Sequence, residues 1–226
     1  KTIVSIFLNP KQFNNKKDLK SYPRNIKKDL QILRKSKKVD FVYLPKFNDI
    51  YEDNKKSKIT INKKDKILCA KIRKGHFEGV LDVMNRLTKI INPDKIFMGE
   101  KDFQQLYLVK NFLKKRYKTK VISCRTIRGK NKIALSSRNF LLNSSNLNLA
   151  GKIYKKLKNI KKKINNKNDI SDYLTYSKKK LEMNLKIKID YLELRNIKNL
   201  KISKTKNNSR LFIAYYLNNV RLIDNL

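Results

Sequence analysis

Lys95-Ile-Phe-Met-Gly-Glu-Lys-Asp-Phe-Gln-Gln105 is the stretch on which the fold turns. Lys95 to Met98 reads as a short strand, Gly99 interrupts it, and Asp102 to Tyr117 reads as a helix that leads into a further strand, Lys120 to Cys124. Upstream, Val80, Leu81, Val83, Met84, Leu87, Ile90 and Ile91 keep helical spacing from Glu78 until Asn92-Pro93 closes the run. Further out, Lys1 to Leu8 is β-branched and aromatic and stops at Asn9-Pro10, which predicts a buried strand ending in a turn. Val39 to Leu44 before Pro45 repeats that pattern, and Leu19, Ile26, Leu30 and Leu33 predict helix between Asp18 and Lys37. Strands alternating with helices predict a mainly parallel sheet whose ligands gather at the carboxyl ends of its strands.

Beyond Arg138 the order changes. Ser144 to Asn165 and Asp169 to Asn184 read as Lys-rich amphipathic helices, followed by strands at Ile187 to Leu194, Arg210 to Leu217 and Arg221 to Ile223. The expectation is an α/β domain over 1–138 and a small α+β domain over 139–226. The Asn- and Lys-rich stretches Lys161 to Asn168 and Ser203 to Ser209 read as surface loops.

Of the 226 residues, 40% are hydrophobic, with 11 Tyr and 10 Phe, which predicts a folded core despite 33% charged residues. The longest apolar runs, such as Leu211 to Leu217, fall far short of the roughly 18 residues a membrane span needs. No secretory signal is legible near Lys1, and Cys69 and Cys124 are too few for a disulfide framework, so a soluble cytoplasmic protein is expected. The formal net charge of +39 would ordinarily point to a polyanion partner. However, 46 Lys, 27 Asn and 25 Ile have AT-rich codons, whereas the scarce residues, 11 Arg, 5 Gly, 4 Ala and 4 Pro, have GC-rich ones. Codon bias therefore accounts for the charge without a nucleic-acid partner, and the shortage of Arg argues against base readout, which favours its planar fork.

Gly99 to Gln105 opens a helix directly after a strand, where a glycine admits close backbone approach, Lys101 can neutralise phosphate, and helix-end N–H groups attract anions. The same residues also suit a capping box, with Asp102 as cap and Gln105 three residues on. Ile127-Arg128 and Leu135-Ser136-Ser137-Arg138 form a second polar segment, in which two hydroxyls beside a guanidinium can clasp phosphate or simply make a solvated hinge. Gln12, after Asn9-Pro10, could present an amide to hydroxyls or a carboxylate, although turn geometry alone explains Asn-Pro. Arg73 to Phe77 holds the single histidine, His76, and reads as a helix-entry turn; no multi-histidine metal site can be built. Gly-x-Ser-x-Gly, Gly-x-x-x-x-Gly-Lys-Ser/Thr and Gly-x-Gly-x-x-Gly are all absent, which removes the corresponding hydrolase, P-loop and dinucleotide readings.

Taken in order, Val4 to Phe13, Tyr22-Pro-Arg24, Gly75 to Val80, Gly99 to Leu106, Leu135 to Asn139, Asp190 to Arg195 and Arg221 to Asn225 resemble the signatures of the pantoate–β-alanine ligases, Rossmann-like members of the nucleotidyltransferase superfamily. The resemblance implies ATP and Mg2+, with (R)-pantoate and β-alanine as substrates, a homodimer, and no specific nucleic-acid or membrane partner. It implies that Gln12 and Gln105 hold pantoate, while Gly99, Glu100, Lys101 and Asp102 bind ATP through its phosphates and ribose. It further places Leu135, Ser136, Ser137 and Arg138 in a phosphate-binding segment, the Ile127 backbone against adenine, and Arg73 near the reacting phosphates, with Lys101, Arg138 and Arg73 as the catalytic cations.

The chain departs from the family pattern at a Met-Gly-x-Leu-His-x-Gly-His signature, which it lacks. The resemblance therefore implies a fragment without its first β-α unit, inactive by itself. A glycine usual before Ser-Ser-Arg is also replaced, by Asn131-Lys132-Ile133.

Overall fold

The structure, a computed structural model, describes residues 1–51, 58–164 and 169–226. It divides the chain into two compact units, Lys1–Ile96 with Tyr107–Ile122, and Phe97–Leu106 with Ser123–Leu226. This division sets Phe97–Leu106 and residues 123–138 with the later part of the chain, whereas the sequence reading sets them before a boundary at Arg138.

In the first unit β1 (Ile3–Ser5) pairs in parallel with β2 (Phe41–Tyr43), Val4 opposite Val42, as the β-α-β reading requires. The intervening helix is two helices, α1 (Lys16–Ser21) and α2 (Ile26–Ser36), rather than one. Pro23 lies in the break, and Asn15 and Asn25 cap the separate starts by accepting from the Lys17 and Lys28 amides at 2.8 and 3.0 Å. The expectation of a buried first strand is corrected too: Ile3 is 39% exposed, since β1 has β2 as its sole neighbour among the described residues.

Two short helices, α3 (Phe47–Ile50) and α4 (Leu68–Ile72), lead to α5 (His76–Ile91), which starts ahead of its expected position at Glu78. It ends where Asn92 adopts a left-handed conformation ahead of Pro93. Its inner face packs Val83, Met84 and Leu87 on Ile50, Tyr51 and Phe47. Next come β3 (Lys95–Gly99), α6 (Phe103–Lys114) and β4 (Lys120–Cys124), with β3 and β4 paired.

In the second unit α7 (Ser144–Lys163) and α8 (Ile170–Leu185) pack on an antiparallel sheet ordered β5 (Lys188–Asn196), β6 (Ser209–Leu217), β7 (Val220–Asn225). Ile153, Leu157, Leu194, Leu211 and Ile213 are each at most 1% exposed in their shared core. Asn218 and Asn219, both with positive φ, make the tight turn between β6 and β7. The loop expected from Lys161 is helical through Lys163, and 165–168 lie outside the described residues. Ser203 and Ser209 are buried rather than surface residues, joined by a 2.7 Å hydroxyl bond. Of the lysines expected to face solvent on these helices, Lys155, Lys158 and Lys179 are exposed, but Lys161 and Lys178 are half-buried, and Lys178 reaches the Asp190 carbonyl. No described helix is long and apolar enough to cross a membrane.

Candidate functional site

In the first unit, Gln12 closes a 3-10 turn, Pro10–Gln12, beyond the end of β1. Asn9 anchors that turn at 1% exposure. Its Oδ1 accepts from the Lys11 amide and the Tyr51 hydroxyl, both at 3.1 Å, and its Nδ2 donates to the Gly79 carbonyl at 3.0 Å. Burial, reinforced by the Asp82 carboxylate, pushes the Tyr51 hydroxyl up to about 12. A Cβ on Gly79 would lie 2.3 Å from the Lys11 carbonyl oxygen and 2.9 Å from Gln12 Cα, so α5 can approach the turn this closely only at a glycine.

His76 grips the turn as well. Its Nε2 lies 3.0 Å from Arg73 Nη1 and its Nδ1 2.7 Å from the Gln12 carbonyl. A guanidinium only donates, so Nε2 accepts and Nδ1 carries the proton given to Gln12. One neutral imidazole thus joins Arg73 to Gln12, two residues singled out separately in the sequence. Arg73 also stands 4.0 Å from Asp18.

In the second unit a 3-10 turn, Glu100–Asp102, runs directly into α6, where the sequence suggests a capping box at Asp102. Gln104 is the buried glutamine and Gln105 is half-buried. Lys101 Nζ sits 3.7 Å from the half-exposed Asp102 carboxylate. The Ile127 carbonyl accepts from the Leu135 amide at 3.0 Å, which brings these two residues side by side, 68% and 52% exposed. Lys132 turns this loop at φ +70°, a conformation in which a glycine would be unstrained. Ser136 then caps the 3-10 turn Ser137–Leu141 by accepting from the Arg138 amide at 3.3 Å.

Lys101 and Ser136 meet at one small crevice of about 10 Å³, room for a single water, together with Asn139, Tyr215 and Asp224. Two segments well separated in sequence are therefore brought to the same opening. Asn139 donates to the Ala134 carbonyl at 3.1 Å, while its Oδ1 is buried without a hydrogen-bond partner among the described residues. Burial, the neighbouring Asp224 carboxylate adding to it, pushes the Tyr215 hydroxyl well above its usual range.

The same crevice rests on residues to which local sequence reasoning gave no supporting role, although Arg128 and the stretch from Arg221 to Asn225 were singled out there. Asn225, 4% exposed, donates through Nδ2 to both the Glu100 and Lys101 carbonyls at 2.9 Å. Arg210 donates to Asn225 Oδ1 at 2.8 Å and to Glu100 Oε2 at 2.7 Å. Arg128 forms a two-pronged pair with Asp224, at 2.7 and 2.8 Å, and lies over the Tyr154 ring. Asn9 and Gly79 were also missed as anchors. Gly79, inside a helical run in a chain with only 5 glycines, was the available signal.

The α/β elements followed by a small antiparallel sheet make a fold shared with solved enzymes of nucleotidyltransferase type. The whole chain, residues 1–226, matches the family described as Pantoate-beta-alanine ligase, and it belongs to that family. It is 37% identical to a pantothenate synthetase of Flavobacterium psychrophilum, over 100% of this chain and 81% of the relative. A crystal structure of pantothenate synthetase from Thermus thermophilus superposes with a TM-score of 0.90 at 27% identity, covering 99% of this chain and 82% of that one. The Francisella tularensis enzyme, solved with Beta-gamma ATP and β-alanine, gives 0.81 at 37% identity, covering 99% and 78%.

Proposed function

We propose that this protein condenses (R)-pantoate with β-alanine to pantothenate at the expense of ATP, through a pantoyl adenylate. The observation that carries the reading is that the chain belongs over its whole length to the pantoate-beta-alanine ligase family, with the Lys101 and Ser136 segments meeting at one small crevice. Gly99, Glu100, Lys101, Asp102, Ile127 and Leu135 to Arg138 are the ATP-binding residues, and Gln12 and Gln105 the pantoate-binding ones. Residues 1–138 carry these groups, Gln12 in the first unit and the others in the second. The working state is a cytoplasmic homodimer.

In the first step a pantoate carboxylate oxygen attacks the α-phosphorus, the bond to the bridging oxygen breaks, and pyrophosphate leaves. In the second the amine of β-alanine attacks the acyl carbon, the acyl–oxygen bond breaks, AMP leaves, and the amine gives up a proton. Neither step needs a covalent bond to the protein, so positioning and cationic stabilisation supply the rate enhancement. Lys101, Arg138 and Arg73 are the cations. Gln12 can orient pantoate because its own backbone is held by Asn9, His76 and α5.

Among the described residues no group of three or more His, Cys, Asp or Glu side chains could hold a metal. Magnesium fits this chain as an ion carried by the ATP phosphates, with Asp102, half-exposed beside Lys101, the available carboxylate. When bound it neutralises phosphate charge. The test, on a chain that also carries the Met-Gly-x-Leu-His-x-Gly-His segment missing here, is pantoate-dependent exchange of labelled pyrophosphate into ATP, with AMP release measured on adding β-alanine. Exchange that needs pantoate, and AMP that needs β-alanine, are expected. Exchange driven by other small carboxylates but not by pantoate would overturn the assignment.

A further inference from the structure

Arg221-Leu-Ile-Asp-Asn225 is a motif of the sequence that the proposed reaction leaves without a role. Its last two residues connect both nucleotide segments of the second unit. Asn225 divides its two Nδ2 protons between consecutive carbonyls, Glu100 and Lys101, at 2.9 Å each. Its Oδ1 takes a proton from Arg210, whose other arm holds the Glu100 carboxylate. A closed ring of hydrogen bonds, Arg210 to Asn225 to Glu100 and back, therefore fixes the turn that carries Lys101. Asp224, 7% exposed, holds Arg128 through two short bonds, and Arg128 also reaches the Asn225 carbonyl at 3.3 Å. Arg128 follows Ile127 directly. The Asn225 amide additionally donates to Asp224 Oδ1 at 2.7 Å, so the two halves of the arrangement are joined.

We propose that Asp224 and Asn225 at the end of β7 are positioning residues for ATP, with Asn225 and Arg210 setting the phosphate-facing Lys101 turn and Asp224 setting the adenine-facing Ile127 segment through Arg128. The inference rests on the ATP site proposed above. Its physical basis is that a ligand-binding turn with unpinned carbonyls samples many geometries, and ATP must then spend binding energy on ordering it. Asn225 is suited to the task because one planar amide can donate twice and accept once. An aspartate there keeps the acceptor for Arg210 but turns an oxygen toward two carbonyl oxygens.

The two halves make separable predictions, which a general loss of packing does not. Binding of ATP and of adenosine to the 226-residue chain is measured by calorimetry, beside thermal unfolding. Asn225→Asp is expected to weaken ATP about tenfold or more while changing adenosine less than about threefold, because the Lys101 turn faces phosphate and two hydrogen bonds to it are lost. Asp224→Asn is expected to weaken adenosine and ATP by a similar factor. Ile153→Val, in the helix–sheet core, provides a variant of lowered melting temperature that retains ATP affinity. Wild-type ATP affinity in Asn225→Asp, or losses in all three variants that simply follow melting temperature, would overturn the inference while leaving the ATP site intact. A wild-type chain that binds no ATP would overturn the site itself.

Discussion

Gly79→Ala is the sharpest test of how the first unit presents Gln12. The added methyl would lie 2.3 Å from the Lys11 carbonyl oxygen, 2.7 Å from its carbon and 2.9 Å from Gln12 Cα, and all three are backbone atoms that no rotamer change can move aside. Ordinary contact begins near 3.4 Å. The turn Pro10–Gln12 and α5 must therefore part by about 1 Å, stretching the Asn9 bond to the Gly79 carbonyl and the His76 bond to Gln12. Overpacking of this kind costs about 1–3 kcal/mol, and the better helix propensity of alanine returns about 1 kcal/mol. The net loss of about 0–2 kcal/mol should lower the melting temperature by at most about 8 °C. The effect on chemistry should be larger, because a displacement of about 1 Å in a positioning group can cost about 100-fold. Thermal unfolding, pantoate affinity and ATP affinity are measured together. Pantoate affinity should fall far more than ATP affinity, whose proposed groups other than Arg73 lie in the second unit. Wild-type stability and pantoate affinity would refute the reasoning, since a methyl cannot occupy that space without movement.

In the chain with the histidine segment restored, Lys101→Ala should impair ATP use more than Gln105→Ala, which should chiefly weaken pantoate binding. The ammonium acts on phosphate charge that shifts during adenylation and the amide mostly holds substrate; unchanged kinetics in both variants would return this turn to a purely structural role. Tyr51, with its hydroxyl pushed up to about 12, is neutral in the folded state over a range where the unfolded chain ionises. Its contribution is present below pH 10 and is lost as pH rises from 10 towards about 12. Tyr51→Phe should accordingly flatten the alkaline fall in stability, as read by denaturant unfolding, and an unchanged slope would contradict it. If the charge of +39 reflects codon usage, labelled RNA should bind weakly, without sequence preference, and be released between about 50 and 200 mM salt. Fluorescence anisotropy showing selective nanomolar binding at physiological salt would reverse that reading.

The alternation of strand and helix was legible because each element carries its own pattern. The apolar comb of α5 and its Asn92-Pro93 stop are local facts that need no knowledge of the rest of the chain. Pro23 also announced the break between α1 and α2, but the apolar spacing across it suggested one continuous helix. Ile3 is exposed despite belonging to an apolar run, because burial of a strand depends on its neighbours and not on its composition. The chemistry-bearing residues were visible as types, namely amides, a lysine and hydroxyls after strands. Their supports were not, because each gains its meaning from a distant partner.

That division follows from how polar groups act in folded chains. Asn9 reads as half of a turn dipeptide, yet its side chain secures a helix 70 residues away. Asn225 reads as the close of a strand, yet it bonds carbonyls 125 and 124 residues earlier. A buried amide without partners would be costly, so such a residue is stable only where a distant part of the fold supplies complementary groups. Partly exposed residues can then be held from behind: the turns of Gln12 and Lys101 owe their placement to the distant side chains of His76 and Asn225. Gly79 completes the logic from the opposite direction, since its contribution is the atom it lacks. Sequence signatures built around Gly75 to Val80 and Arg221 to Asn225 are therefore best understood as two clamps, one on the turn of Gln12 and one on the turn of Lys101.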